Sequence, residues 1–395
     1  MGSSSRNSGG RTVLAIILGL LLIAATFFLY GPQAALETIS DLTGVELDLP
    51  AEQAPANQTP VEELTGGGSF YTVYFTNPVI PFDEVTTGGV EANLIPLINQ
   101  ATTSIDVAVF EFNLQSVADA LIAAHERGVQ VRVVHDNEHT EEDPQIDQLI
   151  EAGIPAVPDE RSAFMHNKFL VIDSSIVWTG SMNLTENGAY RNNNNVIVLR
   201  SSRLAENYTT EFEEMFIQEA FGPTSPSNTP NPVVTIDGTR IENYFAPEDD
   251  VLSAINNVIA SAEESVHFMA FAFTEDSIGQ AMLEQLNAGV PVRGIFETRG
   301  AATEFSECNL LLQSGADVRL DDNPRTFHHK VIIVDRSIVV IGSFNFSANA
   351  TESNDENLVI VYNPDVAGLY EQEFERQFSL SVEPGNTSEC LRDDS

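Results

Sequence analysis

The chain has 395 residues, 43% of them hydrophobic, with 18 Lys+Arg against 58 Asp+Glu and a formal net charge of −40. That length supports two ordinary domains, each with a full core, and excludes a disordered chain or a disulfide-stapled miniprotein. A field of this sign opposes any protein that holds duplex nucleic acid by neutralising phosphates, so nucleic acid is a disfavoured though open partner.

In chain order, Arg6 and Arg11 precede an uncharged apolar run at 12–30, long enough to cross a bilayer core as a helix. No Lys or Arg follows until Arg127, an asymmetry that places residues 1–11 in the cytoplasm and the bulk of the chain outside, as a single-pass membrane protein. A cleaved signal peptide followed by secretion is the competing reading; the run is long for one, and Gln33-Ala34-Ala35 lacks the small residue wanted three positions before a cut. Residues 31–68, rich in Pro, Ala, Glu, Thr and Gly, read as a disordered acidic linker.

Beyond it the chain repeats. IDVAVFEFN (105–113) matches VHFMAFAFT (266–274), both suited to buried strands; SVADALIAAHERG and DSIGQAMLEQLNAG are amphipathic helices stopped by Gly128 and Gly289. VQVRVV (129–134) matches VPVRGI (290–295), and EFEEMF (211–216) matches EFERQF (373–378). The offset of 161–162 residues predicts two domains, 69–222 and 241–382, separated by a linker at 223–240 and followed by a tail at 383–395. Alternating strands and helices imply an α/β sandwich in each, with mostly parallel central strands.

Each half carries one further matched block. His166-Asn167-Lys168, Asp173 and Gly180-Ser181-Met182-Asn183 answer to His328-His329-Lys330, Asp335 and Gly342-Ser343-Phe344-Asn345. This is HxKx4D with GSxN downstream, twice, and it contains the only two lysines among the 18 basic residues. In a strand, residues i and i+2 share a face, so each His points with its Lys. Ser181, Asn183, Ser343 and Asn345 supply neutral donors beside Lys168 and Lys330, a set suited to the oxygens of a phosphodiester. If the halves pair about a pseudo-twofold axis, one imidazole can attack phosphorus while the other protonates the leaving oxygen. That chemistry needs neither metal nor cofactor, and a single chain holds the whole site.

The paired motifs resemble the phospholipase D superfamily over residues 90–380, nearest its compact cardiolipin hydrolase and nuclease branch. The resemblance implies two duplicated α/β/α sandwich domains around a pseudo-twofold axis and a phosphohistidine intermediate. It implies His166 as nucleophile, His328 as the acid and later base, and Asp173 and Asp335 as supports. The family tends to back each motif histidine with a carboxylate about 28 residues downstream. That position is Glu356 in the second half and Asn194 in the first, so Glu356 is expected to orient His328 and Asn194 to orient His166. The expected activity is phospholipid head-group hydrolysis to phosphatidic acid. A single-strand endonuclease and a cardiolipin-synthase-like phosphatidyltransferase are the alternatives, and a nuclease would need a groove from Arg161, Arg191, Arg299 and Arg325.

Outside the motifs, His125, His267 and Trp178 read as structural, and His329 as lying off the His328/Lys330 face. His135 and His139 fall in an acidic loop after a strand end, expected to flank the site. Cys308 and Cys390 read either as two separate thiols or as one disulfide of an oxidising compartment.

Overall fold

The computed structural model describes residues 64–140, 143–385 and 390–391. The apolar run at 12–30 and most of the acidic linker lie outside these residues. No helix among the described residues is long and apolar enough to cross a membrane.

The first lobe is a sheet of β1 (Thr65–Gly67), β2 (Tyr71–Phe75), β3 (Ser104–Val109), β4 (Gln130–Asp136), β5 (Ala156–Asp159), β6 (Lys168–Ile172), β7 (Ile176–Gly180) and β8 (Asn195–Arg200). The second repeats it with β9 (Val233–Ile236), β10 (Thr239–Ala246), β11 (Val266–Ala270), β12 (Val292–Phe296), β13 (Asp317–Leu320), β14 (Lys330–Val334), β15 (Ile338–Gly342) and β16 (Glu356–Tyr362). The spatial order is β1-β2-β8-β7-β6-β3-β4-β5 in the first and β9-β10-β16-β15-β14-β11-β12-β13 in the second, so the duplication holds strand for strand.

The expectation of mostly parallel strands is corrected. Only β3–β4–β5 and β11–β12–β13 run parallel; the remaining pairings in each sheet are antiparallel. The cause is local. The motif strand and the strand leading to GSxN form a tight hairpin, β6–β7 and again β14–β15, and a hairpin can only be antiparallel. Its turn is built on Asp173 and Ser174 (φ 50° and 48°), matched by Asp335 and Arg336 (φ 51° and 52°). Asp tolerates this left-handed region better than most residues.

Two boundaries also shift. The end of the acidic linker is not free chain: Thr65–Gly67 pairs antiparallel with β2. Much of the linker expected at 223–240 is the β9–β10 hairpin. These short segments occupy the outer edge of each sheet, where unpaired backbone groups invite pairing that composition does not disclose. The tail is pinned by a Cys308–Cys390 disulfide, which settles the choice left open between thiols and a bond.

Period-two alternation splits each motif strand between two cores. Phe169 and Val171 of β6, with Val331 and Ile333 of β14, enter one central core shared by both lobes. Leu170 and Ile172 face a separate core in the first lobe, and Ile332 and Val334 one in the second. Tyr208, Phe212 and Met215 from helix Ser202–Gln218 meet Tyr370 and Phe374 from helix Pro364–Leu380 in the central core. The lobes are thereby fused across a buried apolar seam, which fixes the motif segments relative to each other.

Candidate active site

Each motif histidine sits just before its strand, in an extended segment that crosses to the other lobe. The His166 backbone N–H donates to the Asp355 carbonyl at 3.0 Å, and that of His328 donates to the Asn193 carbonyl at 2.9 Å. The next residue along each accepting segment turns its side chain onto the ring. His166 Nδ1 lies 2.8 Å from Glu356 Oε2, and His328 Nδ1 lies 2.9 Å from Asn194 Oδ1.

This reverses the expected partners: Glu356 orients His166, and Asn194 orients His328. The in-lobe assignment fails because the segments before β8 and β16 exchange backbone bonds with the opposite lobe. In both sites the ring's Nδ1 is engaged, which leaves Nε2 for chemistry.

The motif serines act one step back. Ser181 Oγ donates to Asn194 Oδ1 at 2.9 Å, and Ser343 Oγ donates to Glu356 Oε2 at 2.5 Å. Both are fully buried and already committed, so they position the orienting residues rather than face a phosphate. The preceding glycines permit this: a Cβ on Gly180 would stand 2.3 Å from the Asn195 carbonyl oxygen, and one on Gly342 2.2 Å from that of Asn357.

The lysines are placed identically. Lys168 Nζ donates to the His166 carbonyl at 2.6 Å and lies 4.8 Å from the centre of the Phe110 ring. Lys330 Nζ donates to the His328 carbonyl at 3.0 Å and lies 4.8 Å from the Phe271 ring. The same two aromatic rings meet the imidazoles edge-on, Phe110 at 4.7 Å from His166 and Phe271 at 4.9 Å from His328. Phe110 and Phe271 occupy equivalent positions in the repeated strand-end sequences, a signal that a reading of those runs as core alone passes over.

Burial, reinforced by the charges of Lys168 and Lys330, drives His166 well below the usual imidazole range; burial and the same two ammoniums do this to His328. Both lysines act on both rings, so the four groups form one site. Burial lowers Lys168 to about 8, against the opposing carboxylates of Glu356, Glu111 and Asp136, and pushes Glu356 up to about 8. Burial thus favours the neutral form of each of these groups, Lys330 included.

Asp173 and Asp335 stand away from this centre. Asp173 accepts from the backbone N–H groups of Thr102 (2.9 Å), Thr103 (2.8 Å) and Ser104 (3.1 Å). Asp335 takes those of Glu263, Glu264 and Ser265 in the same way. They tie the motif hairpin to the start of β3 or β11, in keeping with a support role.

Asn183 and Asn345 differ between lobes. Asn183 Nδ2 donates to Glu111 Oε2 at 2.5 Å, whereas Asn345 has Ala272 at the matching place; the Oδ1 of each is buried without a hydrogen-bond partner. Glu111 is a charged group at the site that residue spacing did not single out, because only one repeat carries it.

His139 flanks the site: its ring packs 4.2 Å from Phe110 and 4.8 Å from Phe164, and its Nδ1 meets Asp136 Oδ1 at 3.0 Å. His329 is fully buried, between Asn195 Nδ2 at 3.0 Å and Glu373 at 3.5 Å. Of the arginines considered for a groove, Arg161 is bound to Asp159 and Asp355, and Arg191 reaches the Asp83 carbonyl. Arg299 is paired with Glu297 although 66% exposed, and Arg325 is exposed. Arg299 also donates to the backbone carbonyl of Arg325.

A family model described as "Cardiolipin synthase, PLD-like domain" matches residues 94–216 and 255–378. A mitochondrial cardiolipin hydrolase of Xenopus tropicalis is 34% identical over 135 residues, covering 34% of this chain and 63% of that protein. A phospholipase D of Rickettsia felis is 30% identical over 161 residues, 41% of this chain and 80% of that one. The crystal structure of a phosphatidylserine synthase from Haemophilus influenzae covers 74% of this chain and 84% of its own, with a TM-score of 0.59 and 15% identity, a likeness of fold.

Proposed function

Because the chain belongs to the phospholipase D superfamily of phosphodiesterases, we propose that it hydrolyses the head-group phosphodiester of a phospholipid through a phosphohistidine. The observation that carries the reading is the buried set of two imidazoles and two ammoniums, with each ring held at Nδ1 by the opposite lobe. His166 Nε2 attacks phosphorus, and Glu356 offsets the positive charge that this ring acquires. His328 protonates the departing alcohol oxygen, then takes a proton from water as the water displaces the histidine. Lys168 and Lys330 hold the non-bridging oxygens and the charge that builds on them.

The choice of lipid over polynucleotide is supported by the charge of −40 and by the pairing of Arg161 and Arg299 with carboxylates. The apolar run at 12–30 would keep the site beside a bilayer, and the disulfide suits an extracytoplasmic location. The test is incubation of the full chain with phosphatidylcholine, cardiolipin and single-stranded DNA, alongside His166→Asn and His328→Asn. Phosphatidic acid or phosphatidylglycerol released by the parent and by neither variant is the expected result. DNA cleavage with inert lipid would replace this reading with the nuclease, and transfer of the phosphatidyl group to an alcohol in place of water with the synthase.

A further inference from the structure

The two long helices that close the lobes are repeats of each other, yet their buried carboxylates are treated differently. In the second lobe, Glu373 is fully buried and fully compensated. Arg376 reaches it with Nε and Nη2, both at 2.8 Å, Gln377 donates to it at 2.7 Å, and His329 lies at 3.5 Å. The equivalent residue in the first lobe is Glu211, 3% exposed. There, the position of Arg376 is taken by Glu214, 2% exposed, and that of His329 by Asn167. Each cation of one lobe is thus replaced by an acid or an amide in the other.

A third carboxylate, Glu248, comes from the loop between β10 and helix Val251–Ala260. One oxygen from each of Glu211, Glu214 and Glu248 lies within 4.8 Å of the other two. On each of the three, one buried oxygen has no hydrogen-bond donor. Three carboxylates desolvated together, without a counter-charge, are among the costliest arrangements a fold can carry.

We propose that Glu211, Glu214 and Glu248 bind a divalent cation of the calcium class, which replaces in the first lobe the guanidinium that neutralises the second. Oxygens this close fit within twice a calcium–oxygen distance of about 2.3–2.6 Å, and an all-oxygen, irregular donor set suits calcium better than magnesium. The Asn228 side chain, which hydrogen-bonds Glu214, and Asp249 beside Glu248 stand at the margin of the cluster. Glu211 and Glu214 belong to the last helix of the first lobe and Glu248 to the second lobe, so the ion would tie the lobes at their seam. Asp355 also acts on Glu211, and it precedes the Glu356 that orients His166.

Burial raises all three carboxyls, Glu214 and Glu248 to about 7; Glu211 and Glu248 also hydrogen-bond each other, and Asp249, Asp355 and neighbouring acids add to the effect. Cation binding must therefore displace protons and strengthen as pH rises. The test is calorimetric titration of the full chain with calcium at pH 5.5 and pH 8, in salt high enough to screen diffuse binding, with thermal melting in calcium or EDTA. One calcium per chain, several degrees of stabilisation at pH 8 and much less at pH 5.5 are expected.

Glu214→Gln should lose the stoichiometric site. Glu214→Arg, which copies the second lobe, should lose it too while melting in EDTA at or above the parent with calcium. If calcium leaves the parent's melting unchanged at pH 8, or binds Glu214→Arg equally, the cluster is a proton-sharing trio and the proposal falls.

Discussion

His166 and Glu356 are 190 positions apart in the chain, yet Nδ1 of one lies 2.8 Å from Oε2 of the other. His328 has only the amide of Asn194 in the equivalent place. The two imidazoles therefore differ in the group that answers their charge, a difference that supports the proposed division of roles. A ring that becomes cationic on bonding to phosphorus gains from a carboxylate; a ring that must give up a proton does not.

Glu356→Gln should lower kcat by about 10²–10⁴-fold, the scale expected when a carboxylate behind a catalytic imidazole becomes an amide. Asn194→Ala should cost less, because only orientation is lost. Steady-state kinetics on one phosphodiester substrate compares them directly, and equal losses would remove the asymmetry assigned here.

The pH dependence follows from the direction of the shifts. Both imidazoles titrate below 6.5, so the form with one proton between them is most abundant at acid pH. The kcat/KM of the free enzyme should decline from acid pH toward neutrality as that proton is lost, while Glu356, raised to about 8, opposes the decline by ionising behind His166. A further loss is expected near pH 8, where Lys168 gives up the charge that holds phosphate. Asn194→Asp places a carboxylate on His328, raises its pKa and should move the first decline to higher pH.

Asp173→Asn should cost about 1–3 kcal/mol of stability by weakening charge-assisted bonds to three backbone N–H groups, with kcat nearly unchanged. Partial burial opposes ionisation, but those donors hold the carboxyl well below its ordinary value. A depressed folded-state pKa contributes stability above the unfolded value near 3.9 that is lost as pH falls through the folded one. The parent and variant should therefore differ at pH 7 and draw together as pH falls below the unfolded value, read by denaturant unfolding.

His329→Asn should retain most turnover. Asn167 occupies the matching place in the first lobe and accepts from Asn357 at 2.8 Å, so the fold already accommodates an amide there. Glu373 keeps Arg376 and Gln377, which limits the loss of stability to about 1–3 kcal/mol. Turnover reduced as far as in His328→Asn would show that His329 belongs to the chemistry.

Cys390→Ser should destabilise the second lobe by about 2–5 kcal/mol, since the bond closes a loop of 82 residues. Activity measured well below the melting temperature should persist, because Cys308 and Cys390 lie in the outer core of that lobe.

The duplication, the two motif blocks and the helices stopped by Gly128 and Gly289 were legible in the sequence, since each depends on residues close together in the chain. Spacing also predicted that His166 and Lys168 lie together, as their shared contact with Phe110 shows, whereas a support role for Asp173 came from the family resemblance. The edge strands Thr65–Gly67 and Val233–Ile236 were not legible: glycine and turn residues look like linker until a sheet edge offers them partners. Nor was Glu111, whose importance comes from Asn183 and the lysines across the fold. The crossed orientation of the histidines was beyond sequence for a deeper reason. In an internally symmetric chain, equivalent residues keep the same spacing whether each lobe completes its own site or its neighbour's. Only the backbone exchange of His166 with Asp355 and of His328 with Asn193, fixed by the shared apolar core, decided between them.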